Sequence, residues 1–354
     1  MPADLFRKHR GIAIQEPFMK SKSAKIFEII FFLSIMLLTF YTIFSRNDLP
    51  EIILAVKKMN PFYFVCAAFS ALFFVCMEGF MIWYLLGITE KNVSLFRCFS
   101  YSFIGFFFSG ITPSATGGQP AQLAAMKKDG ISLGSSTLAL MTVAVFYKLI
   151  LALTGLGILL LWKKGLSLYL GNYMPLYYLG IFLNSALVVL LFLIMIHGNW
   201  METILLQAEK LCVKIHLCKP SEQRKKTFRR IISDYRQTLY FLLKNKSKIV
   251  VTIVCTFFQR CSLFLLTYFI YLGFGLSGHS PLLIMTLQAS VYIAVDMLPL
   301  PGSQGISELI YLSIFIPIFT DVFLTPSMCV TRGLSFYFLL IIGACVTLFY
   351  SHNR

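Results

Sequence analysis

Charge is what this sequence has least of. Only 13% of its 354 residues are Asp, Glu, Lys or Arg, about half the share that a water-soluble domain carries. A hydrated surface of ordinary size is therefore excluded. With 58% hydrophobic residues and a mean hydropathy of +0.77, the consistent class is an integral membrane protein. Signatures of chemistry are scarce too: there is no G-x-x-x-x-G-K-[ST] phosphate loop and no H-E-x-x-H metal motif. The histidines (His9, His197, His216, His279, His352) lie in loops or near segment ends. Nothing points to a catalytic constellation, a cofactor or a metal. No disulfide framework is spelled out either. Cys66, Cys76, Cys255, Cys261, Cys329 and Cys345 fall inside apolar runs, where a thiol behaves as a small buried hydrophobe. The polar cluster Cys212, His216 and Cys218 lacks the paired spacing of a zinc site.

What the chain does have is length in its apolar runs. Six have the roughly 20 residues a helix needs to cross a bilayer: Ile26–Phe44, Phe62–Leu86, Leu138–Trp162, Leu176–Ile196, Ile249–Leu272 and Met328–Tyr350. Four shorter runs form two pairs, Cys98–Ile111 with Gly117–Met126 and Leu282–Leu298 with Ile306–Ile318. The expected fold is all-α and polytopic: about six full spans plus two re-entrant hairpins, at 98–128 and 282–319. A basic N-terminus (1–25) precedes the first membrane half (26–197), and a basic segment (198–248) separates it from the second (249–350). The first run follows a long basic stretch and has no small-residue cleavage site after it, so it reads as a retained span.

Basic residues give the orientation. Of 31 Lys and Arg, 23 fall on one side if the six spans alternate and each short pair returns to its own face. Twelve of these lie between Lys210 and Lys248, and only Arg46, Lys57, Lys58, Lys163 and Lys164 lie opposite. The positive-inside rule puts both termini in the cytoplasm, as expected of a multi-pass protein of the inner (cytoplasmic) membrane. Loop charge beside anionic headgroups accounts for the net +16, and nucleic acid is not an expected partner. From Glu202 to Leu243 an apolar face that includes Leu205, Leu211, Phe228, Ile232, Leu239 and Tyr240 predicts a helix lying on the inner leaflet.

Each short pair is broken by proline and glycine. In Ile111-Thr-Pro-Ser-Ala-Thr-Gly-Gly-Gln-Pro-Ala-Gln122, proline lacks the amide that a continuous helix requires, and Pro120 suits the first turn of a new one. Met297-Leu-Pro-Leu-Pro-Gly-Ser-Gln-Gly-Ile-Ser-Glu308 repeats the recipe. Non-helical backbone at membrane depth is tolerated where protein buries it or a wet cavity adjoins it. Two such breaks of opposite sense predict an inverted-repeat arrangement with a midplane site. The helix starts near Gly118 and Gly305 would favour anions. Glu78, Lys148, Arg260, Asp296, Glu308 and Arg332 sit inside apolar segments, where an ionisable group is expensive unless paired or wet and marks function by default. Three acids and three bases also allow complete mutual pairing as a purely structural solution.

These breaks resemble the lysylphosphatidylglycerol synthase transmembrane family, also called flippase-like domain proteins. The resemblance rests on Thr112-Pro113, Gly117-Gly118-Gln119-Pro120 and Lys127-Lys128-Asp129-Gly130-Ile131. It rests equally on Pro299, Pro301, Gly302, Gly305 and Glu308, with Arg332 opening the last span. It implies a lipid flippase that moves aminoacylated phosphatidylglycerol to the outer leaflet, lowers surface negative charge and confers resistance to cationic peptides. Full-length members carry a cytosolic lysyltransferase domain after the membrane region. The sequence ends at Arg354, so that domain is not expected here. Two alternatives remain: lysyl transfer from charged tRNA by this chain, and a non-catalytic partner role beside a separate synthase. Expected partners are the bilayer and the phospholipid, with a separate synthase and a second copy of the chain as further options. On charge complementarity, Glu78, Asp296 and Glu308 would face a cationic aminoacyl group, and Lys148, Arg260 and Arg332 the phosphate. Gln119 in place of the family's frequent acid, and Lys148 in place of an arginine, bear on which headgroup is taken.

Overall fold

Large hydrophobic side chains cover the outside of this protein. Leu161 is 89% exposed, Leu168 85% and Leu160 80%, whereas Arg260, Gln259, Gln288, Thr256 and Glu308 are buried. An exterior as apolar as the core, with polar and charged groups turned inward, departs from the soluble pattern and is the one a hydrocarbon solvent selects. The computed structural model describes residues 49–352 apart from 91–92, 113–114, 197–202, 204–206 and 208–221. The predicted span Ile26–Phe44, the basic N-terminus, Pro113, most of the 198–221 stretch and the Cys212–His216–Cys218 cluster lie outside the described residues.

The described chain is helical, without strands: α1 (Leu49–Lys57), α2 (Pro61–Leu86), α3 (Leu95–Ile111), α4 (Gly118–Lys128), α5 (Leu133–Leu170), α6 (Met174–Ile196), α7 (Glu222–Lys244), α8 (Lys246–Gly273), α9 (Pro281–Val295), α10 (Ile306–Ile314), α11 (Asp321–Arg332) and α12 (Leu339–His352). Four helical stretches, Pro61–Leu86, Leu133–Ile196, Lys246–Gly273 and Asp321–His352, are long and apolar enough to cross a membrane. The second holds two of the predicted spans: α5 kinks at Trp162, and a turn with Gly171 at φ +48° leads into α6. Folded back, α6 packs on α5, and the Tyr177 hydroxyl donates to the Gly155 carbonyl at 2.9 Å. The last stretch starts at Asp321 rather than Met328. An acid in the first turn suits a helix start, and Pro326 is contained within α11. Arg332, expected at the opening of this span, therefore lies near its middle. A π-helical turn, Gly333–Phe338, follows it before α12.

α2 and α8 form the antiparallel spine. The Asn60 amide donates to the Gly273 carbonyl (2.8 Å) at one end, and Gln259 Nε2 to the Phe74 carbonyl (2.8 Å) midway. At the other end Lys248 Nζ donates to the Tyr84 carbonyl. α3 sets out from the Lys248 end and α4 returns to it, where the Tyr101 hydroxyl donates to Asp129 Oδ2 at 2.5 Å. α9 sets out from the Asn60 end. After α10 the chain is back there, with the Phe319 ring 5.7 Å from that of Tyr271. The two broken pairs thus enter from opposite ends. Their tips meet, because α3 packs against the Pro301–Ser303 turn.

Two expectations change. Part of the apolar face of α7 docks on the start of α5. Ile232, Tyr235, Leu239 and Leu242 are buried, and Gly134 leaves room for the Asp234 backbone. The Tyr235 hydroxyl, whose pKa burial raises, donates to the Met195 carbonyl at 3.0 Å. Tyr240 remains 63% exposed. Of the six thiols expected to be buried, five are half-buried and Cys345 is exposed. Lipid tails are as apolar as leucine, so an apolar run does not reveal which side of the helix faces protein.

Candidate functional site

The first break is closed by a hydroxyl. Thr112 Oγ1 donates to the Phe108 carbonyl (2.7 Å) and accepts from the Gly117 amide (2.9 Å), bridging the end of α3 to the restart of the chain. Gly118 then begins α4 so close to α3 that a Cβ there would strike Ser109 Oγ and lie 2.7 Å from the Gly105 carbonyl. Gln119 and Pro120 follow on an exposed face of α4's first turn. One turn further, Gln122 Nε2 donates to Glu78 Oε1 at 2.6 Å, tying α4 to α2.

An ion pair closes the second break. Gly302 (φ +58°) and Gly305 (φ +83°) take the left-handed turns that reverse the chain after Pro299 and Pro301. The Gly302 carbonyl accepts from Arg332 Nη2 at 2.9 Å. Arg332 Nε donates to Glu308 Oε1 at 2.7 Å, and Ser307 Oγ donates to Glu308 Oε2 at 2.7 Å. Glu308 thus sits in the first turn of α10 and is fully served there. Both tips contain a non-glycine residue at positive φ, Ala115 (+54°) and Ser303 (+52°), each costing about 1–2 kcal/mol of backbone strain. Such strain collects at functional sites.

Between the tips lies polar space. A smaller cavity, about 190 Å³, is bounded by Ser109 and Ala115 of the first tip and Gly302 and Ser303 of the second, with Arg260, Arg332 and Gln288 in its wall. A larger one, about 480 Å³, opens beside it and takes in Glu78, Gln119, Gln122 and Lys148. Phe74, Phe106, Tyr147 and Asp296 border both. At this divide Lys148 Nζ pairs with Asp296 Oδ2, joining α5 to the end of α9, while the Tyr147 hydroxyl donates weakly to Asp296 Oδ1 (3.4 Å).

Of the six intramembrane charges, four pair off: Lys148 with Asp296 and Arg332 with Glu308. Arg260 and Glu78 have no ion-pair partner among the described residues. Arg260 is 1% exposed, and its Nε and Nη2 have no hydrogen-bond partner among the described residues. Its guanidinium lies 3.3 Å above the centre of the Tyr147 ring, a cation–π contact. Tyr147, Gln122 and Gln288 were not legible as site residues. The signal for the two glutamines was an amide inside an apolar run; Tyr147 had none. Gly130-Ile-Ser-Leu-Gly134 spells a nucleophile elbow, yet no strand precedes it, and Ser132 donates to Asp234 Oδ2 at 3.3 Å from the start of α5.

An apolar exterior, bilayer-length helices and a polar interior define a multi-pass, all-α membrane protein. More narrowly, the chain belongs to the lysylphosphatidylglycerol synthase TM region family, which it matches over residues 26–343. It is also similar to the UPF0104 membrane protein PH1989 of Pyrococcus horikoshii, with 27% identity over 268 residues, 73% of this chain and 78% of that relative.

Proposed function

We propose that this chain moves a phospholipid between the leaflets of the cytoplasmic membrane, with aminoacylated phosphatidylglycerol as the family-indicated cargo. The headgroup passes through the cavities between the tips while the acyl chains stay in the bilayer. The observation that carries this reading is the meeting of two strained, broken hairpins from opposite ends around polar space lined by Arg260, Arg332, Asp296 and Glu78. Both hairpins are re-entrant in this proposal. The Lys248 end, which also carries Lys127, Lys128 and Lys246, faces the cytoplasm together with both termini, following the positive-inside bias.

The test is leaflet exposure in cells that make lysylphosphatidylglycerol with a separate soluble-domain synthase. A membrane-impermeant amine reagent reports outer-leaflet lipid. The expected result is more labelling at constant total lipid when the chain is present, and less with Asp296→Asn. Unchanged labelling would contradict transport. A rise in total lysyl-lipid without the synthase would make the chain an enzyme. Labelling that rises only when the synthase co-purifies with it would assign a partner role.

A further inference from the structure

We infer that Phe336 is the plug between the two hairpin tips, a ring that seals the seam a headgroup must cross and that turns aside to let it pass. This rests on the transport reading above and names the residue that keeps the route shut.

Both tips are shaped to the same ring. At Gly110, in the last turn of α3, a Cβ would lie 3.4 Å from Phe336 Cε2. At Gly302, in the second tip, it would collide with that same atom and lie 2.5 Å from Cζ. Gly302 therefore admits no side chain while the ring is in place. The Phe106 ring of α3 lies 6.4 Å from that of Phe336, centre to centre, and the Arg332 guanidinium sits 4.9 Å over it. Phe336 is buried and forms part of the wall of the smaller cavity. One apolar ring thus meets the first hairpin, the second tip, the arginine that clamps that tip, and the polar space between them.

The backbone that presents this ring is built to shift. Phe336 belongs to the π-helical turn Gly333–Phe338, between α11 and α12. The i→i+5 bonds of such a turn enclose one residue more than an α turn, and such turns recur at functional positions. Reverting to α geometry changes the register by one residue and swings a side chain about 100° around the helix axis. That swing carries the ring off the seam and leaves both flanking helices intact. Little in the turn resists it. At Gly333 a Cβ would find nothing within 4 Å. Ser335 Oγ, buried in the cavity wall beside Phe336, has no hydrogen-bond partner among the described residues. Arg332, just before the turn, meanwhile anchors α11 to the second tip through Glu308 and the Gly302 carbonyl. Leu340 gives the contrast: it also packs against Gly110, yet it lines neither cavity.

The test is the sidedness of one thiol in the first tip. In the full chain lacking its native cysteines, Ala115→Cys is reacted with a membrane-impermeant methanethiosulfonate. Intact cells report access from outside, and inside-out membrane vesicles report access from the cytoplasm. With Phe336 present, the thiol should react from the cytoplasmic side and not from outside. Phe336→Ala should abolish that one-sidedness. Leu340→Ala, which deletes a similar apolar volume beside the same glycine, should retain it. If Phe336→Ala does not fold, Phe336→Leu keeps apolar bulk without the reach of the ring and should admit the reagent from outside at a lower rate. The inference is overturned if a folded Phe336 variant stays one-sided or if Leu340→Ala opens the route equally. It is equally overturned if the thiol reacts from both sides while Phe336 is present. Leaflet exposure of lysyl-lipid, measured in the same cells, separates the two claims. Loss of one-sidedness with no lipid movement in any variant would sink the transport proposal alone; movement with a sidedness indifferent to Phe336 would sink this one alone.

Discussion

The two broken hairpins are written with the same residues and held by different chemistry. Each interrupts a helix with proline and glycine, and each carries one non-glycine residue at positive φ, Ala115 and Ser303. Yet the first is bridged by neutral groups, the Thr112 hydroxyl and the Gln122 amide, whereas the second is clamped by Arg332 between Glu308 and the Gly302 carbonyl. Proline and glycine therefore specify where a membrane helix breaks and not what satisfies the freed backbone. The neutral tip is the more exposed, with Ala115, Thr116, Gln119 and Pro120 all open. In the ionic tip, Gln304, Ser307 and Glu308 are buried.

That contrast sets an order of sensitivity. The largest effect is expected at the ionic clamp: Arg332→Met strands the Glu308 carboxylate and should cost about 3–5 kcal/mol, read as unfolding free energy in mixed micelles. Equal tolerance at both tips would break the comparison. Next comes Gln122→Leu, which removes the hydrogen bond that Glu78 accepts from Gln122 Nε2 and should cost about 2 kcal/mol in the same titration. Thr112→Val should lose about 1 kcal/mol, since the neighbouring backbone can still find water at an exposed tip. Smallest, and opposite in sign, are Ala115→Gly and Ser303→Gly. Each relieves a left-handed residue and should gain no more than about 1 kcal/mol, visible as a small rise in melting temperature. A loss at either position would show that the side chain contributes more than its strain costs.

Much of this architecture could be read from the residues alone. Among the described residues, segment lengths and the two Pro/Gly stretches locate most helices and both breaks within a few positions, the start of the last span excepted, because bilayer thickness and backbone chemistry leave few alternatives. The site was legible only as an inventory. Lys148 and Asp296 are 148 positions apart, and nothing local shows that they pair while Arg260 stays alone. Nor did periodicity reveal the inward side of each helix: half-exposed thiols such as Cys261 and the docked face of α7 both follow from an exterior as apolar as the core. Arg332 was misplaced toward the start of its span because Pro326 hides a helix that begins at Asp321.

The most direct test of the central claim, that a lipid headgroup occupies polar space between the two tips, is thiol accessibility with and without ligand. In a version lacking the native cysteines, Ala115→Cys and Leu160→Cys would be reacted separately with a water-soluble, membrane-impermeant methanethiosulfonate in detergent-purified protein. Ala115 borders both cavities, and Leu160 is 80% exposed on the apolar exterior. The predicted result is rapid labelling at 115 that dihexanoyl phosphatidylethanolamine slows, with labelling at 160 slow and indifferent to that lipid. Labelling at 115 that the lipid leaves unchanged, or that is no faster than at 160, would contradict a headgroup site between the tips.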